Sequence, residues 1–466
     1  MNAPLNAVAL SDIGAIQEIL EPPPAHRDPD LILQQTVARG FAKKYAGHLR
    51  HDRLSRFKWF EWSGAHWRED VSGNSFRLAC AYTEELAKSL ERRGRRREAA
   101  SIGKLNYARE VLAGAAVDPA IATDSALWDE NLYLIGTPKG TLDLKTGALR
   151  DADPGDMLTK LTAVTPAERA DCPRWRQFLD EATGGDDELI RFLQRFAGYS
   201  LTGSAEEHAM LFIHGPGGNG KSVFCNVIEG ILCDYAKTPP MDALMATNNP
   251  KHETEIAMLK GARLVVASET EAGRAWNEPR LKKLTSSDTI TGRFMRADHI
   301  SFRATFKVLI AGNHRPTLRN VDDAIRRRMN LIEFNRRPAL VDTKLEEKLR
   351  DEWPAIMRWM VDGCLDWQRH GLIRPQSVAT ATDEYMAAQD SFGAWLEDRC
   401  DVDIGNRSKT AAGEALRTSW AEYAKSLGEE PGSSKRFADE MQKRGFERCK
   451  IGGERGFNGL RLKPRP

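Results

Sequence analysis

Gly215-Pro216-Gly217-Gly218-Asn219-Gly220-Lys221-Ser222 follows directly on Leu211-Phe212-Ile213. An apolar strand therefore runs into a glycine-rich loop of the form GxxxxGK[ST], the P-loop. The glycines let the backbone curl so that its N–H groups point inward at phosphates. Lys221 reaches β- and γ-phosphates in such a loop, and the Ser222 hydroxyl ligates Mg²⁺. Val223 opens a segment with helical apolar spacing that runs to Leu232, whose N-terminus adds a positive dipole end. Residues 215–223 are thus the expected nucleotide-binding stretch, with ATP and Mg²⁺ as the bound groups. The fold expected is an α/β P-loop NTPase.

Working outward, a second strand, Arg263-Leu264-Val265-Val266-Ala267, ends in Ser268-Glu269-Thr270-Glu271. Doubly wound sheets present catalytic groups at such C-terminal strand ends. Glu269 is assigned to the Mg²⁺ shell and to water activation, with Glu271 sharing that work. A third strand, Phe306 to Ala311, leads into Gly312-Asn313-His314. The amide of Asn313 offers a donor and an acceptor to the γ-phosphate and the attacking water. Asp322-Asp323-Ala324-Ile325 then precedes Arg326-Arg327-Arg328 and a fourth strand. An arginine here suits the γ-phosphate of a neighbouring subunit, a role worth about 10³–10⁵ in rate where it has been studied.

Between the second and third strands stand Lys282 and Lys283, then an expected β-hairpin over 291–306 with its tip at Ala297-Asp298. Arg293, Arg296, His299 and Arg303 on that hairpin are candidate contacts to a DNA strand. Taken alone, they read equally well as charges that keep an edge soluble.

The bulk properties set limits. The 466 residues imply about three domains. Charged residues make up 29%, yet the net charge is +2, so a nucleic-acid partner must rest on local basic surfaces. The seven cysteines form no CxxC pair, which argues against a Cys-based zinc site and fits a reducing cytoplasm. No apolar run approaches the roughly 20 residues of a membrane span, so no membrane partner is expected. The basic run Arg92, Arg93, Arg95, Arg96, Arg97 reads as a solvated face.

The order of motifs resembles superfamily 3 helicases, in particular the phage and plasmid primase–helicase branch with its poxvirus-like members. The likeness rests on the P-loop, Ser-Glu-x-Glu, Leu284-Thr285-x-x-Asp288, Asn313-His314 and Asp322-Asp323-Ala324-Ile325-x-Arg327-Arg328. It extends upstream to Cys172 through Gly203 and to Gly140 through Gly147. The resemblance implies an AAA+-like core, the superfamily 3 form of the P-loop fold. It implies ATP hydrolysis at the subunit interfaces of a ring, usually a hexamer, that acts on single-stranded and forked DNA in phage, prophage or plasmid replication in a bacterial host's cytoplasm. By resemblance, Lys221 and Ser222 are the Walker A pair, Glu269 and Glu271 the Walker B acids, Asn313 the motif C sensor, and Arg327 and Arg328 the paired arginines. Lys282 and Lys283 fall in the segment before the DNA hairpin.

Long members carry a primase domain. Asp151-Ala152-Asp153 has the spacing of a metal pair, but Pro154-Gly155 makes it a turn. A helicase without primer synthesis is therefore expected, with a separate primase or other replication proteins as partners. The other reading is an ATP-driven switch that binds an origin or remodels a partner without processive unwinding.

The expected domains are a flexible leader at 1–28, a mixed α+β domain at 29–165 and a helical collar-like segment at 166–205. The ATPase at 206–375 follows, then a winged-helix-like domain at 376–466. In the last, Phe437 to Phe446 is the expected recognition helix, with Lys435, Arg436, Lys443, Arg444 and Arg455 as phosphate contacts.

Overall fold

The structure is a computed structural model that describes residues 34–53, 58–246, 253–268, 274–293, 299–318, 322–338 and 341–464. The chain divides into two compact units. One holds residues up to 62 together with 69–125, and the other holds 63–68 and everything from 126 onward.

The smaller unit contains α1 (Gln34–Tyr45), β1 (Leu49–Asp52), β2 (Lys58–Trp62), α2 (Asn74–Arg92), α3 (Arg96–Ile102), α4 (Leu105–Ala115) and β3 (Ala122–Thr123). Strand β1 pairs antiparallel with β2 and parallel with β3. Val37, Phe41, Ala79, Ala108, Val111 and Ala115 recur at helical spacing and form its core. The carboxylate of Asp70 starts α2 by accepting the Asn74 and Ser75 amides, each at 2.7 Å. The arginine run spans the break between α2 and α3. Arg92, Arg93, Arg96 and Arg97 are exposed, and Arg95 is paired with Glu98.

The larger unit opens with an antiparallel meander: β4 (Leu134–Thr137), β5 (Gly140–Asp143) and β6 (Ala148–Arg150). Two helices follow, α5 (Pro173–Thr183) and α6 (Asp187–Tyr199). Helix α5 takes Pro173 at its first position, and Glu352 accepts the Arg174 and Trp175 amides at 3.1 and 3.0 Å. Then come β7 (Met210–His214), α7 (Lys221–Leu232), β8 (Ala236–Lys237), α8 (Glu253–Ala257), β9 (Leu264–Ser268) and α9 (Glu278–Leu284). The hairpin β10 (Thr289–Arg293) and β11 (His299–Arg303) precedes β12 (Lys307–Gly312), α10 (Asp323–Arg328) and β13 (Met329–Glu333). Helices α11 (Leu345–Arg350), α12 (Trp353–His370) and α13 (Gln376–Ala388) complete this part.

The central sheet, among the described residues, is parallel throughout in the order β13-β7-β12-β9-β8. Its strands are continuous apolar runs because both faces are covered. Leu211, Ile213, Leu264, Val266, Leu309 and Ile332 face a core shared with α5, α6, α7 and α12. Met210, Phe212, Val265, Val308, Ile310 and Leu331 face the opposite core with α9, Ile290, Phe302 and α13. Helix α12 lies close on α6, because a Cβ on Gly198 would stand 2.1 Å from the Cys364 amide nitrogen. Asp366 on α12 accepts from Arg191 and Arg195 on α6, at 2.9 and 2.5 Å, and the Arg191 bond is the main force holding its carboxyl far below the usual range.

Two buried cations tie the sheet to the segments before it. Arg263 donates to the carbonyls of Leu201 and Leu134, each at 2.5 Å, and stacks over Tyr235. Lys307 donates to the carbonyls of Thr202 and Ser204 at 2.6 and 3.1 Å and lies 4.4 Å from the Tyr199 ring centre. Burial pushes the pKa of Lys307 well below its ordinary value.

The last segment has its own core of Phe392, Trp395, Leu416, Trp420, Phe437, Met441, Phe457 and Leu460. It comprises α14 (Ser391–Arg399), β14 (Cys400–Val402), β15 (Thr410–Ala412), α15 (Gly413–Ser426), α16 (Ser434–Lys443), β16 (Arg448–Ile451), β17 (Glu454–Asn458) and β18 (Leu460–Leu462). Strands β15, β17 and β16 form one antiparallel sheet, and β14 pairs with β18.

Two boundaries drawn from sequence shift. The one at 165 falls inside the larger unit, because Ile135, Leu142 and Leu144 belong to the same core as Leu211 and Phe224. The one at 375 splits α13 from the sheet it covers. Tyr385 and Met386 sit in the core under β13, and the Thr382 hydroxyl accepts the Leu331 amide at 3.0 Å. The leader at 1–28 lies outside the described residues.

Candidate functional site

Loop 215–220 bridges β7 and α7 at the C-terminal edge of the sheet. Gly220 caps α7 with φ of +85°, and a Cβ there would meet the ring of Phe178 at 2.6 Å. Any larger residue is both strained and obstructed at this point. Phe178, from α5, thus supports the loop from outside the motif. Asn219 is buried and donates to the carbonyl of Phe334, just past β13.

Lys221 is 6% exposed. Its ammonium donates to the carbonyls of Gly215 and Pro216 at 2.7 and 3.0 Å and to Oδ1 of Asn219 at 2.9 Å. No carboxylate pairs with it among the described residues, and burial lowers its pKa from the ordinary lysine value. A buried cation ringed by neutral oxygens at a helix N-terminus has the charge to meet an anion. Ser222 stands exposed in the first turn of α7. Among the described residues no cluster of three His, Cys, Asp or Glu side chains fits a metal ion. The proposed Mg²⁺ ligand Glu269 and its neighbour Glu271 lie outside the described residues.

The strand register levels the remaining groups. His214 pairs with Gly312 on one side and Glu333 on the other, and Ser268 pairs with Ala311. Asn313 therefore follows the strand beside the P-loop strand, at the same edge, and it is exposed. Arg315, two residues on, ion-pairs with Glu333, and its Nε lies 3.4 Å from Nδ1 of His214. Burial, reinforced by Arg315, lowers the pKa of His214. Sequence reasoning passed over Arg315 and Glu333. The position of Arg315 two residues beyond Asn313 was the available signal.

A cavity of about 580 Å³ opens beside the loop. Gly218, Asn219, Gly220 and Val223 form one wall, Phe178 and Ala182 of α5 another, and Val341 and Leu345 a third, with Arg174, Arg336 and Lys348 among its polar groups. None of the residues on the second and third walls was singled out from sequence, because they come from segments about 40 residues before and 120 after the motif.

The arginine run lies at the other edge. Met329, the residue after Arg328, pairs with Met210, the first residue of the P-loop strand. Four residues of strand, about 13 Å, separate that level from His214. Arg327 is exposed and makes no ion pair among the described residues. Arg328 is different: it is 9% exposed and donates to the Ala324 carbonyl of its own helix at 2.9 Å. Of the paired arginines named from sequence, only Arg327 projects. Arg326 faces Asp383 at 3.5 Å.

On the hairpin, Arg293 and His299 are exposed and directly opposite each other, Arg303 pairs with Thr289, and Ile290 and Phe302 turn inward. Arg296 lies outside the described residues. Lys283 is exposed, but Lys282 is ion-paired with Asp322, the N-cap of α10. Its reading as a DNA contact gives way to an internal one. Arg444 likewise leaves the list of phosphate contacts, since its guanidinium is held by Asp390 at 2.6 Å and Glu440 at 2.9 Å over the ring of Phe392. No helix among the described residues is long and apolar enough to cross a membrane.

Residues 38–184 match the family described as D5 N terminal like, and residues 213–328 match a family of unknown function, DUF5906. The chain is 28% identical over 324 residues to "Putative helicase L207/L206" of Acanthamoeba polyphaga mimivirus, covering 64% of this chain and 33% of that protein. A similarly named protein of Frog virus 3, 022R, is 25% identical over 236 residues, covering 46% of this chain and 24% of its own length. The chain thus spans about a quarter to a third of the length of these relatives. Among solved structures, the apo C-terminal region of NrS-1 superposes with a TM-score of 0.52 at 11% identity, covering 92% of this chain and 99% of that one, which is a likeness of fold. The first family match covers the segment ahead of the P-loop and the second runs from the P-loop strand to Arg328, and the relatives of modest identity carry the name putative helicase.

Proposed function

We propose that the protein is an ATP-dependent DNA helicase of superfamily 3 that hydrolyses ATP between subunits of a ring and moves along single-stranded DNA during replication. One observation carries this reading. The P-loop and the exposed Arg327 lie at opposite edges of one sheet, about 13 Å apart along the strands. In this reading the phosphate partner of Arg327 belongs to a second copy of the chain.

In this reading the triphosphate lies on the amides of 215–220, and Lys221 turns from the loop carbonyls to the β- and γ-oxygens. The nucleoside enters the neighbouring cavity, whose volume suits it and whose Phe178, Ala182, Val223 and Leu345 supply apolar walls. Ser222 and Glu269 would hold Mg²⁺, which would supply positive charge against the phosphates. Glu269, with Glu271, orients and deprotonates the attacking water, and Asn313 hydrogen-bonds the water and the γ-phosphate. Arg327 of the adjoining copy stabilises charge on the transferring group. The hairpin face bearing Arg293, His299 and Arg303, joined by Lys283, follows the DNA backbone. Residues 391–462, three helices with an antiparallel sheet, act as a winged helix that adds duplex contacts.

Complementation tests the reading. Arg327→Ala and Lys221→Ala are each expected to be inactive, and mixing them is expected to restore part of the DNA-stimulated ATPase. Turnover at full rate by dilute, monomeric protein would refute the shared site. Strand displacement from a forked duplex separates a helicase from a non-translocating switch.

A further inference from the structure

Helix α10 carries Arg327 but has only six residues, too few to hold their own shape. Each end is fixed from elsewhere. At the N-terminus Asp322 accepts the Ile325 amide at 2.9 Å and pairs with Lys282 of α9. At the C-terminus the carbonyls need donors beyond the helix, and one guanidinium reaches that of Arg327. Arg374, in the segment between α12 and α13, donates through Nη2 to the carbonyls of Arg327 and Met329, each at 3.1 Å. Its Nε donates to Oδ1 of Asn330 at 2.8 Å. Asn330 in turn donates to the carbonyl of Met210 at 3.1 Å and of Arg328 at 3.3 Å. An unbroken set of hydrogen bonds therefore joins the first residue of the P-loop strand to the backbone of Arg327.

We propose that Arg374 is the positioning residue of the projecting arginine: by binding the backbone on both sides of Arg328, it sets the direction in which Arg327 leaves the sheet edge. This rests on the reading of Arg327 as acting on a neighbouring copy. Arg374 touches no phosphate and works through Arg327 alone. Its planar fork spans three acceptors at once, a geometry that an ammonium group does not match. Misplacement of a catalytic group by about 1 Å costs on the order of a hundredfold in rate.

The test uses the full chain with single-stranded DNA. Arg374→Ala is expected to lower kcat about ten- to a hundredfold with KM for ATP nearly unchanged, and Arg374→Lys to recover only part of the loss. Mixing Arg374→Ala with Lys221→Ala is expected to restore turnover, because the Lys221→Ala copy presents a properly held arginine to an intact P-loop. Mixing Arg374→Ala with Arg327→Ala is expected to restore none, since neither copy then presents one. Wild-type kcat for Arg374→Ala, or a loss that Lys221→Ala does not rescue, overturns the proposal. Wild-type kcat for Arg327→Ala overturns the underlying reading instead, so the two failures are distinguishable.

Discussion

The two edges of the central sheet are built on opposite plans. At the C-terminal edge the P-loop is largely local: Lys221 bonds to its own loop, and its glycines, lysine and serine are consecutive in the chain, with Phe178 and Phe334 the outside supports. At the N-terminal edge the arginine helix is held by residues 40 and 47 positions away, Lys282 and Arg374, and its projecting side chain makes no ion pair among the described residues. Under the proposed function the first edge is finished in one copy of the chain and the second meets another, so that hydrolysis would depend on assembly while nucleotide binding would not.

Breaking the largely local edge has the largest expected effect. Lys221→Ala should reduce hydrolysis to background and weaken a fluorescent ATP analogue by about a hundredfold, whatever the oligomeric state. Retained affinity would mean that the triphosphate binds elsewhere. Gly220→Val should come next. Strain at a positive φ costs about 1–3 kcal/mol, with the Phe178 ring in the way, so affinity should fall roughly five- to 150-fold. A titration with the same analogue checks it.

The assembled edge should respond in rate and not in affinity. Asp322→Ala removes a helix cap worth about 1 kcal/mol and the partner of Lys282. It should lower kcat a few-fold while nucleotide affinity stays unchanged. The same variant has an acid signature. Burial alone would raise the Asp322 pKa, but Lys282 and the Ile325 amide outweigh it and hold the carboxyl below its ordinary value. The stabilisation is then present above a pH of about 3.9 and lost as pH falls through the lower folded value. Asp322→Ala should flatten that part of an acid-unfolding profile. The smallest effect is expected for Arg326→Ala, which breaks one exposed pair worth about 0.5 kcal/mol, so turnover should stay within about twofold. A loss as large as that of Arg327→Ala would show that the wrong arginine was taken to project.

How much was legible follows from the same contrast. The strand–loop–helix at 210–232 was read correctly because every part of it is local. The hairpin face was readable from alternation, with Ile290 and Phe302 inward and Arg293, His299 and Arg303 outward. What escaped was whatever depends on sheet order. Nothing in Arg326-Arg327-Arg328 says which of the three is buried. That is decided by Arg328 turning back on Ala324 while the strand enters the core at Met329. Lys282 looked like a free cation because Asp322 lies 40 residues on. Arg374, Phe178 and Arg336 carry no motif at all.

The buried cations Arg263 and Lys307 bear on where the chain can be divided. Their acceptors are backbone carbonyls at 134, 201, 202 and 204, all upstream of the ATPase boundary that the motifs alone would draw. A fragment beginning at 206 would keep both charges inside and discard every oxygen that satisfies them, at a cost of several kcal/mol for each ion. A fragment beginning near 126 keeps them all. The smallest piece able to fold around this sheet thus includes the strands and helices ahead of the P-loop. Shuffling of this domain between genes, natural or deliberate, must carry those 80 residues with it.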